Sequence, residues 1–206
     1  MKNLISILAH PTSIAALLGL IILIFALIRV RKVKFTTKII TQIGIALAMS
    51  TVLSLLKIYQ LPQGGSVTFG AMVPILLIAL FYGPEMGFLT GFLYGLISLM
   101  INPYIFQPIQ VLFDYPLPFM ALGLVGFFRN KWLLGTIIAV FARFICHFIS
   151  GVVFFASYAP KGTSPVLYSI IYNASFLSID AVICIIIMSV LPIKKLYKIA
   201  NNGYEM

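Results

Sequence analysis

The chain has 206 residues, of which 62% are hydrophobic and only 9% carry a charged side chain. A soluble domain carries roughly a quarter charged residues, so this chain cannot cover itself with a surface that faces water. The composition excludes soluble enzymes and nucleic-acid-binding proteins, in spite of a formal net charge of +10. It predicts an all-α integral membrane protein, in keeping with the mean hydropathy of +1.12.

Seven apolar segments follow one another along the chain. They comprise residues 12–28, 39–56, 67–82, 86–101, 109–128, 133–157 and 166–191. A helix needs about 20 residues to cross the hydrocarbon layer of a membrane. The third and fourth segments are short, and Gly83 and Pro84 between them predict a tight turn. The first segment is too long for a signal peptide and no cleavage site follows it, so we expect a retained helix.

The basic residues predict the orientation, because cytoplasmic loops carry an excess of Lys and Arg. With the linker after the first segment in the cytoplasm, ten basic residues fall inside and three outside. The inner set is Arg29, Arg31, Lys32, Lys34, Lys38, Arg129, Lys131, Lys194, Lys195 and Lys198, and the outer set is Lys2, Lys57 and Lys161. The N-terminus is therefore predicted outside and the C-terminus inside, as seven crossings require.

Ionisable side chains inside these segments indicate a structural or functional role, since each costs about 2.5–3.5 kcal/mol at the centre of a membrane helix. Counted from the outer helix ends, Asp114, His147, Tyr168 and Asn173 fall in the outer half of the membrane. They predict a polar pocket that opens outward if the helices bring them together. Arg143 and Asp180 lie deeper and level with each other, which predicts a structural ion pair between the sixth and seventh helices.

Two local patterns leave alternatives open. Arg143, His147, Gly151 and Phe155 recur every four residues and so share one helix face, which fits either a binding surface or ordinary helix packing.

Asp114 lies just before Pro116 and Pro118, and each proline leaves a backbone carbonyl unpaired. A carboxylate beside free acceptors suits a cationic or amine-bearing ligand. A simple kink, with Asp114 paired to Arg143 or His147, fits as well.

Motifs of other protein classes are missing from the sequence. It has no Walker A loop, Gly-rich nucleotide fingerprint or His-Glu metal helix, so we expect no ATP hydrolysis, cofactor or metal. An intramembrane hydrolase with Asp114 and Asp180 as a catalytic pair is disfavoured, because their depths differ by about 12 Å. Carboxylates that share a proton lie within a few ångströms of each other. Cys146 and Cys184 are expected to be small core residues.

Six stretches of the chain have a specific order and spacing. They are LPQGGS at 61–66, GAMVP at 70–74, QVLFDYP at 110–116, RFICHFISG at 143–151, YAPKG at 158–162 and YSIIYN at 168–173. Together they resemble the ThiT family, the thiamine-specific substrate-binding subunits of energy-coupling factor transporters. The resemblance covers about residues 39–191 and implies a six-helix bundle in the plasma membrane that captures thiamine from outside.

The resemblance also implies partners and a division of the chain. The partners are a transmembrane coupling protein and two cytoplasmic ATPases. Residues 1–35 form an additional N-terminal membrane helix and basic linker, residues 36–198 the substrate-binding domain, and residues 199–206 a cytoplasmic tail. The alternatives are a substrate-binding subunit for a thiamine precursor or another vitamin, and a membrane scaffold with structural ion pairs only.

Individual site residues follow from the same resemblance. The implied substrate-binding set is Asp114, Tyr115, His147, Gly151, Phe155, Tyr168 and Asn173. Asp114 replaces an expected glutamate and faces the positively charged ligand, while Phe155 replaces an expected stacking tryptophan. The other polar residues hydrogen-bond the aminopyrimidine, Tyr115 forms an aromatic wall, and Gly151 allows a close backbone approach.

A small-residue surface on the second segment is the predicted docking site for the coupling protein. Gly44 and Ala48 have the small-xxx-small spacing that lets helix backbones approach closely. Ala46 and Ser50 repeat the spacing one step round the helix. Small pairs are common in membrane bundles, so packing within the chain is the alternative.

Overall fold

The computed structural model describes residues 10–31 and 33–201, which are mostly helical. The α-helices are α1 Pro11–Val30, α2 Thr37–Leu55, α3 Val73–Tyr82, α4 Pro84–Ile101, α5 Pro108–Asp114, α6 Pro116–Ala121, α7 Trp132–Phe154, α8 Pro165–Val190 and α9 Ile193–Asn201. Two strands, β1 Lys57–Gln60 and β2 Ser66–Thr68, follow α2, and 3-10 helices cover Leu122–Lys131 and Ala156–Tyr158. The predicted helical membrane class is confirmed, since five apolar helical stretches in these ranges are long enough to cross a membrane.

The third predicted segment, residues 67–82, is helical only in part. Its first residues form β2, which pairs antiparallel with β1 and sets Val67 opposite Tyr59. The chain then turns at Gly70, which has a φ of +83°, and α3 begins at Val73. The sequence does not predict this hairpin, because a short apolar run fits a buried strand and a buried helix equally well.

The fifth predicted segment, residues 109–128, is broken into three pieces. α5 ends at Asp114, α6 begins at Pro116, and the 3-10 helix follows from Leu122. A residue before proline avoids the helical conformation, and Tyr115 accordingly has φ −120° and ψ −79°. α4 packs closely on this break, since a Cβ on Gly95 would lie 2.6 Å from the Tyr115 carbonyl oxygen. Asp114 is thereby placed at the C-terminal end of a short helix.

The additional helix α1 packs against the outside of the bundle, on α4, α5 and α7. Its small residues face inward, with Ala15 3% exposed and a Cβ on Gly19 only 2.8 Å from Leu112. The opposite side of α1 presents apolar side chains such as Ile21 and Phe25, more than half exposed. Such a surface is stable in contact with lipid tails.

The central core lies around α3, whose apolar side chains are buried on every side. Ile75, Leu76 and Ala79 have no exposed surface. They pack with side chains of the 3-10 helix, α7 and α8 in one cluster that includes Leu122, Ala139 and Cys184. This short helix is therefore enclosed by protein, although it is too short to cross a membrane alone.

Basic residues gather at the end of the bundle where α4 begins. Arg29 Nη1 lies 3.5 Å from Glu85 Oε1, and a Cβ on Gly83 would lie 3.0 Å from Arg129 Nη2. The short helix α9, which the sequence does not predict, returns along α3 and carries three lysines. The orientation in a membrane stays a prediction. Lys2 and Lys32 of the charge count, and residues 202–206 of the predicted tail, lie outside the described residues.

Candidate functional site

A cavity of about 390 Å³ lies at the end of the bundle opposite the basic residues. Its walls come from the β1–β2 hairpin, α4, the loop 102–107, α5, α7 and α8. The structure places all seven residues of the predicted substrate-binding set on these walls, together with Arg143 and Asp180. Residues far apart in sequence thus line one space, whose volume is typical of small-molecule sites.

Asp114 borders the cavity with a side chain that is 19% exposed. Its Oδ1 lies 3.4 Å from Nδ1 of His147, and its Oδ2 accepts a hydrogen bond from Nε2 of Gln110 at 2.5 Å. The contact with His147 is the one expected of a buried pair, and the carboxylate still faces the cavity. The two interpretations of Asp114 that the sequence leaves open are therefore compatible.

α7 and α8 are joined at the level of the cavity by short polar contacts. Asn173 Nδ2 donates to the carbonyl oxygens of His147 at 3.3 Å and Ser169 at 2.9 Å. Ser169 Oγ donates to the carbonyl oxygen of Phe148 at 2.9 Å. Gly151 permits this approach, because a Cβ there would collide with the Ser169 side chain. The four-residue repeat on α7 thus serves helix packing and lines the cavity at the same time.

Arg143 and Asp180 form the floor of the cavity. Their side chains are 8% and 3% exposed, and Arg143 Nη1 lies 4.0 Å from Asp180 Oδ2. Asp180 Oδ1 accepts hydrogen bonds from the Thr68 backbone N–H at 3.1 Å and hydroxyl at 2.9 Å. The guanidinium carbon of Arg143 lies 4.4 Å from the ring centre of Phe119, a cation–π distance. Asp180 therefore fastens the hairpin to α8 as well as facing Arg143.

Tyr104 and Phe155 line the cavity, and together with the adjacent Tyr158 they form an aromatic cluster that we call its mouth. The rings of Phe155 and Tyr104 are centred 5.9 Å apart, and those of Phe155 and Tyr158 5.7 Å apart. The hydroxyl groups of Tyr104 and Tyr158 lie 3.2 Å apart. This hydrogen bond, with lesser contributions from burial and neighbouring tyrosines, raises the pKa of Tyr104 to about 12. Tyr104 therefore stays protonated at neutral pH.

Two further tyrosines fix the surrounding backbone. The Tyr115 hydroxyl donates to the Asn102 carbonyl oxygen at 2.8 Å and accepts from the Tyr104 N–H at 2.7 Å. Tyr172 accepts a hydrogen bond from the Gly65 N–H at 3.2 Å, next to the ring of Tyr168 at 5.9 Å. Tyr115 is therefore both part of the wall and an anchor for the loop 102–107.

Several lining residues were not predicted from the sequence. Gln110 lies one helical turn before Asp114, so spacing alone could have indicated it. Thr68, Tyr104 and Tyr172 had no such signal, because their partners lie far away in the sequence or in loops.

The predicted docking surface lies on α2. Gly44 is exposed, and a Cβ built there would meet no described atom within 4 Å. Ala48 is exposed beside it, whereas Ala46 and Ser50 are buried against the bundle. Packing among the described residues therefore does not account for Gly44.

Comparisons of the chain with known proteins all indicate the same family. A family model described as Thiamine transporter protein (Thia_YuaJ) matches residues 40–200. The thiamine transporter ThiT of Bacillus subtilis (strain 168) is 36% identical over 169 residues, 73% of this chain and 88% of that protein. The thiamine transporter ThiT of Lacticaseibacillus paracasei is 30% identical over 140 residues, 58% of this chain and 70% of that protein.

A solved structure has the same fold. ThiT from Listeria monocytogenes aligns with a TM-score of 0.70 at 26% identity, covering 79% of this chain and 96% of that chain. α1 precedes residue 40, where the family match begins. The helical fold of the ThiT family, expected from the sequence resemblance, is thereby confirmed.

Proposed function

The chain belongs to the thiamine transporter family, and we propose that it captures thiamine outside the cell as the substrate-binding subunit of an energy-coupling factor importer. It is a multi-pass protein of the plasma membrane, and it is a transporter and not an enzyme. The hydrolase alternative is thereby set aside.

One observation carries the choice of ligand: a carboxylate borders a cavity of about 390 Å³ whose mouth is aromatic. Thiamine combines a positively charged ring with an aminopyrimidine, and both rings are flat. A carboxylate in a site of low dielectric attracts a cation far more strongly than one in water does. Aromatic faces add about 0.5–2 kcal/mol each when a cation lies over them.

The individual roles extend this proposal. Asp114 faces the positive charge or the amino group of the ligand. The amide nitrogen of Asn173 is engaged by the His147 and Ser169 carbonyl oxygens, which leaves its oxygen to accept from the aminopyrimidine. Tyr168 and His147 supply further hydrogen bonds, and Phe155 supplies a stacking surface. Tyr115 and Gly151 shape the wall around them.

Ligand identity is tested by binding measurements on the purified protein with thiamine and with hydroxymethylpyrimidine, a thiamine precursor. Thiamine is expected to bind and to stabilise the fold, by about 2.7 kcal/mol at 100 times its dissociation constant. Binding of the precursor without thiamine would mean that the protein is a substrate-binding subunit for that precursor and not for thiamine. No stabilisation by either compound would favour a scaffold.

The partner part of the proposal concerns the exposed surface of α2 around Gly44 and Ala48. The coupling protein would dock there, and two cytoplasmic ATPases would supply the energy, since the sequence contains no nucleotide motif of its own. The chain divides into three parts in this proposal. Residues 36–198 form the substrate-binding domain, α1 precedes it as an additional helix, and residues 199–206 form the cytoplasmic tail. The N-terminus lies outside the cell.

Docking is tested with Gly44→Leu, which would obstruct a close helix contact. The variant is expected to bind thiamine normally but to lose co-purification with the coupling protein and ATPases. Met49→Phe is the matched control, because Met49 is 53% exposed and points away from the Gly44 surface. Unchanged complex formation by Gly44→Leu would rule out this surface.

A further inference from the structure

Gln110 is a polar side chain with no exposed surface. It lies in the third position of α5, one helical turn before Asp114. Burial of an amide is costly unless its hydrogen-bonding groups find partners. The partners of Gln110 therefore show what its side chain does.

On one side, Gln110 holds the loop that forms the mouth of the cavity. Its Oε1 accepts from the backbone N–H groups of Phe106 at 2.9 Å and Gln107 at 3.4 Å. These groups precede the first turn of α5, where backbone donors lack partners within the helix. Its Nε2 donates to the carbonyl oxygen of Tyr104 at 3.1 Å.

On the other side, the same Nε2 donates to Oδ2 of Asp114 at 2.5 Å. A glutamine amide has two N–H donors and one oxygen with two lone pairs, and all four are used here. The orientation of the amide follows from these contacts. The reverse orientation would set its oxygen against the carboxylate and its NH₂ group against two backbone donors.

The charge of the partner matters as much as its position. A lysine or arginine in this place would neutralise Asp114, as Arg143 does for Asp180 on the cavity floor. A glutamine orients the carboxylate and leaves its negative charge in place. That charge is then free to attract a cationic guest.

We propose that Gln110 is a positioning residue that aims the Asp114 carboxylate into the cavity and links it to the loop 102–107. This proposal rests on the thiamine site proposed above and adds a specific residue to it. Because one amide nitrogen holds both Asp114 and Tyr104, a ligand on Asp114 and the observed position of the loop 102–107 favour each other.

A double-mutant cycle with Gln110→Met and Asp114→Asn tests the link. Methionine matches the length of glutamine without its hydrogen bonds. Gln110→Met is expected to weaken thiamine binding about 10- to 100-fold, as for loss of a hydrogen bond to a charged group. In the Asp114→Asn background, the same change is expected to cost less than about threefold, since no carboxylate remains to be aimed.

Ile105→Met is the matched control, because Ile105 is 66% exposed and its side chain does not line the cavity. It is expected to leave thiamine affinity unchanged. Equal losses from Gln110→Met in both backgrounds would mean a merely structural role and overturn the proposal. If the unchanged protein binds no thiamine, the proposed function itself fails, which is a separate result.

Hydrogen exchange gives a second measurement if Gln110→Met does not fold. Saturating thiamine is expected to slow exchange of the Phe106 and Gln107 amides at least about tenfold in the unchanged protein. In Asp114→Asn at saturation the protection is expected to fall below about threefold, because the link through Gln110 no longer reaches a charged ligand contact. Equal protection in both proteins would contradict the link.

Discussion

Two aspartates line the same cavity, yet their surroundings differ. Asp180 is 3% exposed and contacts Arg143 and two donors of Thr68. Asp114 is 19% exposed and contacts Gln110 and His147. Arginine is always charged, whereas glutamine is neutral and histidine carries a charge only when protonated.

The difference indicates separate tasks for the two carboxylates. The charge of Asp180 is balanced in place, and its hydrogen bonds connect the hairpin to α8. The charge of Asp114 has no fixed cation of equal strength within contact distance among the described residues, although its position is well held. A cationic guest is the partner that such an oriented carboxylate lacks.

The largest expected effect comes from Asp180→Asn. Asparagine keeps the volume and can still accept from Thr68, but it leaves Arg143 buried without a counter-charge. Removing one partner of a buried ion pair costs about 3–5 kcal/mol, and the lower end applies to a pair whose closest approach is 4.0 Å. Unfolding of the purified variant should therefore occur at a clearly lower temperature, with thiamine affinity changed much less.

Asp114→Asn on the same scaffold serves as the control for Asp180→Asn, since it removes the other carboxylate at constant volume. A large loss of thiamine affinity in Asp180→Asn at normal stability would reverse the two tasks.

The second expected effect is the loss of thiamine affinity in Asp114→Asn. In the proposed site the carboxylate makes a charge-assisted contact with thiamine worth about 1.5–3 kcal/mol, so the dissociation constant should rise about 10- to 100-fold. Stability of the ligand-free protein should change less than in Asp180→Asn. Titration calorimetry checks the affinity, and equal affinity in the variant would remove Asp114 from the site.

Sequence patterns were informative where one residue carries the signal. An acid inside an apolar segment is costly in lipid, so Asp114 and Asp180 stood out. Counting helical turns predicts Asp114 in the outer half of the membrane and Asp180 deeper, and both residues line the cavity. The prolines after Asp114 marked the position where α5 ends.

Contacts between distant residues could not be found in this way. Thr68 bonds Asp180 across 112 positions and lies in a strand that resembled the start of a helix. The Tyr104–Tyr158 contact joins two loops, and loop tyrosines carry no periodic pattern. Gln110 carries no charge that would mark it inside an apolar segment, although its spacing to Asp114 is that of adjacent helical turns.

A third prediction concerns the cavity wall formed by α7 and α8. Gly151→Ala would push α8 away at Ser169 and weaken the Asn173 contact with His147. We expect a loss of about 1–3 kcal/mol in stability, typical of overpacking, together with weaker thiamine binding. Gly44→Ala is the matched control, since its Cβ would meet no described atom within 4 Å. Normal affinity in Gly151→Ala would show that the wall tolerates this displacement.

The smallest expected effect is at the mouth, in Tyr158→Phe. This change removes the hydroxyl that pairs with Tyr104 and keeps the ring beside Phe155. One exposed hydrogen bond contributes at the low end of about 0.5–1.5 kcal/mol, so thiamine should dissociate about two- to threefold faster with an unchanged association rate. In the unchanged protein this hydrogen bond raises the pKa of Tyr104 to about 12. The bond should therefore persist between about pH 6 and 9, and with it the difference in dissociation rate between the unchanged protein and the variant. Stopped-flow measurements check this prediction. Equal dissociation rates in the unchanged protein and in Tyr158→Phe would mean that the Tyr104–Tyr158 hydrogen bond does not affect the release of thiamine.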